Sequence, residues 1–231
     1  MRCDDGGMSR RMVVILVSVV VVALLAVLAG PPLYSRWQES RNPDPITLTS
    51  APAAPPASGP FDPDGAWTVG AGSEAGYRVE EVLRGEDVTV VGRSSDVTGD
   101  VTIADGQLTT ATVAVTTATI ETGVGPRDSF LRDTLETSTF PDATFELGAP
   151  VVLPELTGEP VAVEVTGTLT IRDVAREVTV SMQAQRSGDG VRVSGSIPVT
   201  FTDFEIEAPN LGFVQVEDAG TVEMLLVLAR A

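Results

Sequence analysis

Residues 126–145 read P-R-D-S-F-L-R-D-T-L-E-T-S-T-F-P-D-A-T-F, a stretch that joins a helix, a turn and a strand. The stretch predicts a short helix over 126–136, because Pro126 has the fixed φ and the missing N–H that suit a first helical position. The apolar side chains of this helix fall on one side of it, and they are Phe130, Leu131 and Leu135. The following T-F-P-D ends the helix, and A-T-F resumes the character of a strand. A lone helix is therefore expected within a chain that is otherwise β.

The rest of the chain from residue 66 onward alternates apolar and polar residues with the period of two that is typical of strands. The segment V-A-V-E-V-T-G-T-L-T-I at 161–171 is the clearest case, and A-D-G at 104–106 and S-G-D-G at 187–190 are hairpin turns. The predicted strands cover 67–83, 88–94, 97–103, 107–120, 143–152, 160–172, 176–187 and 191–206, with a closing strand at 221–230. Short antiparallel strands joined by tight turns predict either a sandwich or an up-and-down barrel, and the pattern alone does not choose between them.

Charge and composition exclude several classes of function. The chain carries a net charge of −17, and residues 1–63 are neutral, so the whole excess lies on residues 64–231. Such a domain repels phosphate backbones, and we expect no nucleic-acid partner. The chain has no histidine, which excludes Ser-His, Cys-His and imidazole–metal chemistry, and we expect neither a cofactor nor a metal. Its one cysteine, Cys3, permits no intramolecular disulfide.

The N-terminal part predicts a membrane anchor and a spacer. Residues 12–29 are apolar except for Ser18, and at about 1.5 Å per residue a helix over them matches the hydrocarbon thickness of a bilayer. Arg10 and Arg11 precede this span, so residues 1–11 are expected in the cytoplasm and the rest of the chain outside. The alternative is a signal peptide that is cleaved near Ala29, which gives a secreted protein. Residues 30–63 are rich in Pro and Ala and predict a semi-rigid linker to the folded domain, residues 64–231.

Several sequence blocks of the folded domain stand in an order that points to a known family. They are W-T-V at 67–69, G-Y-R-V-E-E at 76–81, V-G-R-S-S-D-V-T-G-D-V-T-I at 91–103, T-G-V-G-P-R-D-S-F-L-R at 122–132 with F-P-D-A-T-F at 140–145, G-T-L-T-I-R-D-V-A-R-E-V-T-V at 167–180, and S-I-P-V-T-F-T-D-F-E-I at 196–206. In this order and spacing the blocks resemble the YceI-like family of small lipocalin-shaped proteins that bind isoprenoid lipids. The chain is similar to a membrane-anchored member of this family.

The resemblance implies an all-β fold, an eight-stranded antiparallel lipocalin-like barrel with one short helix against its mouth, preceded here by the N-terminal transmembrane helix. It also implies an elongated apolar cavity that takes up a polyprenyl or quinone-like lipid. The side chains expected to line that cavity are Tyr77, Val79, Val113, Val115, Phe130, Leu131, Leu135, Phe145, Leu169, Ile171, Val180, Met182 and Phe201. Whether the cavity is open or filled by its own side chains depends on its volume, which the sequence does not report.

The resemblance also matches Arg127 and Asp128 to the Arg-Asp pair of the family, and it implies that Arg127 recognises a lipid head group. A purely structural reading of the same two residues stays open. Asp128 lies near the start of the helix and favours the helix dipole, while Arg127 is able to tie the helix to a strand.

The expected function is therefore binding of an apolar lipid outside the cytoplasm, for transport, storage or sequestration, without enzymatic activity. A structural or adhesion module with a self-filled core is the alternative, and an enzyme is a second one. Glu205 and Glu207 fall on one face of a predicted strand, as a pair of acid–base carboxylates requires, and Glu217-Asp218 offers a loose calcium site. The sequence leaves open whether two barrels pair as a homodimer.

Overall fold

The computed structural model describes residue 33, residues 40–48 and residues 61–231, and it folds the last of these segments into strands with one α-helix. The strands are β1 (Gly65–Val69), β2 (Glu74–Leu83), β3 (Glu86–Ser94), β4 (Val97–Ala104), β5 (Gln107–Thr116), β6 (Asp142–Leu147), β7 (Val151–Val152), β8 (Val161–Ile171), β9 (Val174–Ser187), β10 (Gly190–Thr200) and β11 (Val214–Arg230). The helix α1 is Gly125–Thr134, and two 3-10 turns cover Thr117–Thr119 and Phe201–Phe204.

Eight of the strands close into an antiparallel barrel, so the structure is a barrel and not the sandwich that the strand pattern also allowed. The order around the ring is β1, β4, β5, β6, β8, β9, β10 and β11, and β11 pairs with β1 to complete it. Trp67 shows this closure, because it lies opposite Val101 of β4 on one side and Arg230 of β11 on the other. The hairpin of β2 and β3 continues from β11, and the short β7 pairs with β5. Closure of the ring removes sheet edges that would otherwise invite aggregation, and β3 of the hairpin remains an edge strand.

The barrel interior is an apolar core drawn from the inward-facing positions of these strands. Along β8, for example, Val163, Val165, Gly167 and Leu169 are buried, while the residues between them are exposed or half-buried. Trp67 is 1 % exposed; its indole Nε1 donates to the carbonyl of Pro63 at 2.9 Å, and the Arg230 guanidinium lies 4.2 Å from the ring centroid. The period of two therefore decides which side chains face the interior.

Several predicted strand boundaries were wrong: two predicted strands were divided, two were too long where a turn interrupts the pattern, and the closing strand was too short. The predicted strand 67–83 is two strands, because the backbone turns at Gly72 with a φ of 89° and Ser73 bonds back to the Gly70 carbonyl. The predicted strands 107–120 and 191–206 end earlier, in the two 3-10 turns, and 143–152 is divided into β6 and β7. The closing strand predicted at 221–230 begins at residue 214 and carries an irregular register between Val216 and Gly220.

Residues 40–48, which belong to the predicted linker, contact the outside of the β2–β3 hairpin. The side chain of Asn42 donates to the Thr89 carbonyl at 2.5 Å, and Arg78 Nη2 donates to the Pro43 carbonyl at 2.8 Å. Leu48 is 5 % exposed and so is buried. This part of the linker therefore lies against the domain.

In the described part of the chain, no helix has both the length and the apolarity to cross a bilayer. The predicted span at 12–29, the cytoplasmic segment 1–11 and the alternative cleavage near Ala29 all fall outside the described residues, and they stay predictions.

Candidate functional site

A cavity of about 230 Å³ opens inside the barrel beneath α1. Its walls come from the inward positions of β2, β5, β6, β8, β10 and β11, and α1 and the turn at Phe201–Phe204 cover it. Valine, leucine, isoleucine and phenylalanine side chains make up most of the lining. We refer to this space as the main cavity. The interior of the barrel is therefore not completely filled by its own side chains.

Most of the side chains predicted to line a cavity do line the main cavity. They are Tyr77, Val79, Val113, Val115, Phe130, Leu131, Leu135, Phe145, Leu169, Ile171 and Phe201, and the head-group candidate Arg127 joins them. Phe130 of α1 is 45 % exposed, so it lies at the rim of the cavity.

The structure places the two other predicted residues differently. Met182 lines a second, smaller cavity of about 70 Å³. Val180 is fully buried, but it is not part of the lining of either of these two cavities, so its assignment to the cavity wall is corrected. Val180 packs instead over Gly195 on the neighbouring strand, where a Cβ atom would lie 3.3 Å from the Val180 side chain.

The main and second cavities adjoin, because Val113, Phe145 and Met224 line both of them. Two glycines make room for the larger side chains of this partition. A Cβ atom on Gly167 would lie 2.4 Å from the Phe145 ring, and one on Gly195 would lie 2.7 Å from the end of Met224. A side chain at Gly167 is therefore excluded by the Phe145 ring and the Glu146 carbonyl, whereas at Gly195 the flexible end of Met224 would have to shift.

A polar corner of the main cavity is formed by Tyr77 and Glu81 of β2 and Arg127 of α1. Glu81 occupies an inward position, in series with Tyr77 and Val79, and its side chain is only 5 % exposed. Arg127 Nη2 donates to Glu81 Oε1 at 2.7 Å, which compensates the buried carboxylate and ties the helix to the strand. Arg127 therefore makes the contact between helix and strand that the structural reading expects, and its role toward a lipid head group stays a prediction.

The same contact leaves a donor at this corner. Arg127 Nη1 is buried, and no acceptor for it is present among the described residues. A buried donor without a partner costs roughly 1–3 kcal/mol, more for a charged group, so an acceptor supplied by a bound molecule would remove a penalty.

Tyr77 contributes the second polar group of this corner. Burial raises the pKa of Tyr77 to about 12, and the positive charge of Arg127 opposes this rise. The phenol is therefore neutral at physiological pH and is able to donate a hydrogen bond. Gly92 of β3 leaves room for the ring, since a Cβ atom there would lie 2.5 Å from it.

Asp128 organises the loop before α1 rather than the cavity. It lies in the first turn of the helix, as the dipole argument expects, and it is 7 % exposed. Its carboxylate accepts hydrogen bonds from the Thr122 backbone N–H at 2.8 Å and from the Thr122 hydroxyl at 2.5 Å. These bonds fix the chain that leads into the helix, so Arg127 and Asp128 act in different places despite being neighbours.

The other end of α1 is held by Arg172, which lies in the β8–β9 turn. Its Nη2 donates to the Glu136 carboxylate, its Nη1 contacts the Glu205 carbonyl at 3.4 Å, and its guanidinium lies 5.9 Å from the centroid of the Phe140 ring. Arg172, Glu136 and Glu205 all adopt left-handed backbone conformations, with φ of 58°, 49° and 56°. One side chain thus joins three strained turns at the rim of the cavity.

The predicted carboxylate pair does not form. Glu205 lies at the end of a 3-10 turn with a left-handed backbone, not in a strand, so it shares no strand face with Glu207. Of the two, only Glu207 lines the main cavity. No group of three His, Cys, Asp or Glu residues that could hold a metal ion occurs in residues 33, 40–48 and 61–231, and this stretch includes Glu217-Asp218.

Sequence reasoning missed Glu81 and several apolar residues of the lining. The missed apolar residues include Val90, Ile120, Ile197, Val199, Val222 and Met224. Ile197 and Val199 were available from the alternation of β10, which places both on the inward face. Glu81 has the same parity as Tyr77 and Val79, and that parity was the signal, although an acidic residue in a strand is ordinarily placed on the surface.

A sequence model of the YceI-like domain family matches residues 67–228. Two solved structures share the fold. The structure of a polyisoprenoid binding domain from Saccharophagus degradans, implicated in plant cell wall breakdown, is 20% identical with a TM-score of 0.57, and the match covers 71% of this chain and 98% of that one. The structure of BcnA from Burkholderia cenocepacia is also 20% identical, with a TM-score of 0.54, and its match covers 67% and 95% of the two chains. A comparison with curated protein sequences finds no match.

Proposed function

The chain belongs to the YceI-like family, and from this premise we propose that its barrel binds an isoprenoid or another long-chain apolar lipid in the main cavity. The observation that carries the proposal is the cavity itself, about 230 Å³ of space lined mainly by apolar side chains beneath α1. An apolar cavity of roughly 150 Å³ already stays dry and takes up small hydrophobic molecules. A larger one has the same preference for apolar guests.

The binding energy comes from burial of the lipid tail. Each methylene that leaves water for the cavity contributes about 0.8 kcal/mol, so a tail of several isoprene units needs few polar contacts. Phe130 of α1 lies at the rim of the cavity, and we propose that the tail enters there. The relative from Saccharophagus degradans, named for polyisoprenoid binding, supports a lipid of this class.

The second candidate, a structural or adhesion module, requires a core filled by its own side chains. The cavity beneath α1 argues against that requirement. We infer a carrier rather than an enzyme, because the chain has no histidine and Glu205 and Glu207 do not form an acid–base pair. Such a carrier serves transport, storage or sequestration of its lipid.

We place this carrier outside the cytoplasm, anchored in the cell membrane by residues 12–29. Arg10 and Arg11 before that apolar segment support the orientation, and the Pro- and Ala-rich segment after it supports a spacer. A secreted form, cleaved near Ala29, is the alternative. Mass analysis of the mature protein distinguishes the two, because cleavage removes residues 1–29.

Native mass spectrometry of the full chain, purified in detergent from a bacterial host and paired with lipid extraction, tests the binding proposal. A co-purifying mass of a polyprenyl or quinone-like lipid is the expected result. A chain that carries no lipid, and that stays without one after incubation with polyprenyl lipids and quinones, contradicts the proposal and favours the structural module. The same spectra report any homodimer.

A further inference from the structure

We propose that the polar corner of the main cavity selects lipids with a neutral, hydrogen-bond-accepting head group, such as a carbonyl oxygen, over lipids with a diphosphate head group. This inference rests on the proposed function, since it adds a head-group preference to lipid binding by the same cavity. It depends on the donors at Tyr77 and Arg127 and on the charge that surrounds them.

We place a bound acceptor against two donors of this corner. Arg127 Nη1 is buried without an acceptor among the described residues, and Tyr77 lines the same cavity with a protonated hydroxyl. A carbonyl oxygen has two lone pairs and no proton, so it accepts from such donors without bringing a donor that needs its own partner. A hydrogen bond from an arginine is charge-assisted, which makes it stronger than one between neutral groups.

The corner does not offer an uncompensated positive charge. The charged residues of the cavity lining are Arg78, Glu81, Arg127 and Glu207, two of each sign. Glu81 already accepts from Arg127 at 2.7 Å, and the buried carboxylate of Asp128 adds a further negative charge that acts on Tyr77. Arg127 is thus neutralised before any ligand arrives.

The second cation of the lining is also compensated. Arg78 Nε donates to Glu223 at 3.0 Å, and the same carboxylate binds Arg93 on β3. Arg78, Arg93 and Glu223 lie on the outer face of the sheet, the face of Glu80, so they add no free cation to the polar corner. A diphosphate would lose its hydration on entry without meeting a free cation, whereas a neutral acceptor carries no such cost. The domain charge adds long-range repulsion of anions.

Competition among lipids with matched tails tests this preference. The full chain, held in one non-ionic detergent, is incubated with equal amounts of menaquinone-4, geranylgeranyl diphosphate and phytane, and native mass spectrometry reads which lipid is bound. The first two carry the same C20 tail with a neutral quinone or an anionic head group, and phytane is a C20 hydrocarbon without a head group. We expect at least tenfold more quinone than diphosphate, with phytane bound more weakly than the quinone.

Two substitutions on neighbouring residues separate the local charge from the overall charge. Glu81→Gln removes the carboxylate that neutralises Arg127, and we expect the diphosphate to gain at least tenfold relative to the quinone. Glu80→Gln is the matched control, because Glu80 is exposed on the outer face of the same strand and the change in net charge is identical. Arg127→Gln should bring the quinone down to the level of phytane. Retained phytane binding shows that each variant keeps its cavity.

The outcomes distinguish this inference from the proposed function. Binding of diphosphate as strong as that of the quinone in the unaltered chain overturns the inference and leaves lipid binding intact. Equal effects of Glu80→Gln and Glu81→Gln also overturn it, because they assign the preference to overall charge. If none of the three lipids binds, the proposed function fails as well. If a variant does not fold, the competition on the unaltered chain still decides.

Discussion

Replacing Phe145 with alanine is expected to join the main cavity to the second cavity, because Phe145 lines both of them. The side chain is 9 % exposed, so its removal should lower the free energy of unfolding by about 3–5 kcal/mol. Domains typically have a free energy of unfolding of roughly 5–15 kcal/mol, so most domains would stay folded after such a loss.

The joined space should accept a longer lipid tail. One more isoprene unit has five carbons, and at about 0.8 kcal/mol per buried methylene it is worth roughly 4 kcal/mol when it is fully buried. If only a third of that binding energy is realised, the affinity still rises about tenfold. The variant should therefore favour a tail at least one isoprene unit longer than the tail that the unaltered chain prefers, and the bound lipid should restore part of the lost stability.

The measurement is native mass spectrometry of the variant with a ladder of polyprenyl alcohols, together with urea unfolding in the presence and absence of the preferred alcohol. Phe204→Ala is the matched control, because Phe204 is 2 % exposed and lines the main cavity but not the second one. It should lose similar stability without a preference for longer tails. An unchanged length preference in the Phe145 variant, with the fold retained, would refute the role of Phe145 as a partition.

Three further predictions concern the contacts around the cavity. Arg172→Ala should lower the free energy of unfolding by only about 0.5–1 kcal/mol, because the ion-pair partner Glu136 is half exposed. Hydrogen exchange of the α1 backbone amides should become faster. Arg176→Ala is the control, because it changes an exposed arginine nearby on β9 and should leave that exchange unchanged. Glu223→Gln leaves two partly buried arginines without their carboxylate and should lower the free energy of unfolding by roughly 3–5 kcal/mol, measured by urea unfolding at pH 7. The raised pKa of Tyr77 means that the folded chain binds the phenol proton more tightly than the unfolded chain, so the free energy of unfolding should fall between pH 10.0 and about 12. Tyr77→Phe should remove this fall in stability with pH. The same fall in the variant would contradict the assignment of the raised pKa to Tyr77.

The sequence predicted the strands well where alternation and turn chemistry agree, and the resemblance to the family chose the barrel. In β8 and β9 the apolar residues alternate without interruption and a tight turn joins them, so the observed strands fall within a few residues of the predicted ones. The helix was predictable because Pro126 and the charged first turn mark its start. The boundaries failed at Gly70–Ser73 and at the two 3-10 turns. The threonines and phenylalanines of the two 3-10 turns, and the W-T-V before Gly70, have strand propensity, but hydrogen bonds within each turn bend the backbone away from the sheet.

The cavity wall was largely predictable, but its polar corner was not. The alternation of inward and outward positions, together with the resemblance to the family, identifies wall residues such as Val113 and Leu169. Neither of them gives the volume of the cavity. The partner of Arg127 could not be read from the sequence, because Glu81 lies 46 positions away and only the docking of α1 over β2 brings the two together. The partition at Phe145 depends in the same way on Gly167, whose missing side chain has meaning only in the folded barrel.

The contact of residues 40–48 with the β2–β3 hairpin shortens the reach of the domain in a membrane-anchored chain. Fully extended, residues 30–63 would span about 110–120 Å at 3.3–3.6 Å per residue, whereas residues 30–39 span about 33–36 Å. Residues 40–48 contact β3 through Asn42 and β2 through Arg78. The distance between the barrel and a membrane anchor would then be limited by residues 30–39 alone. In the membrane-anchored form that we propose, the domain would then stay close to the bilayer surface, with β2 and β3 turned toward the point of attachment. A lipid that the barrel takes from the membrane would have a short distance to travel.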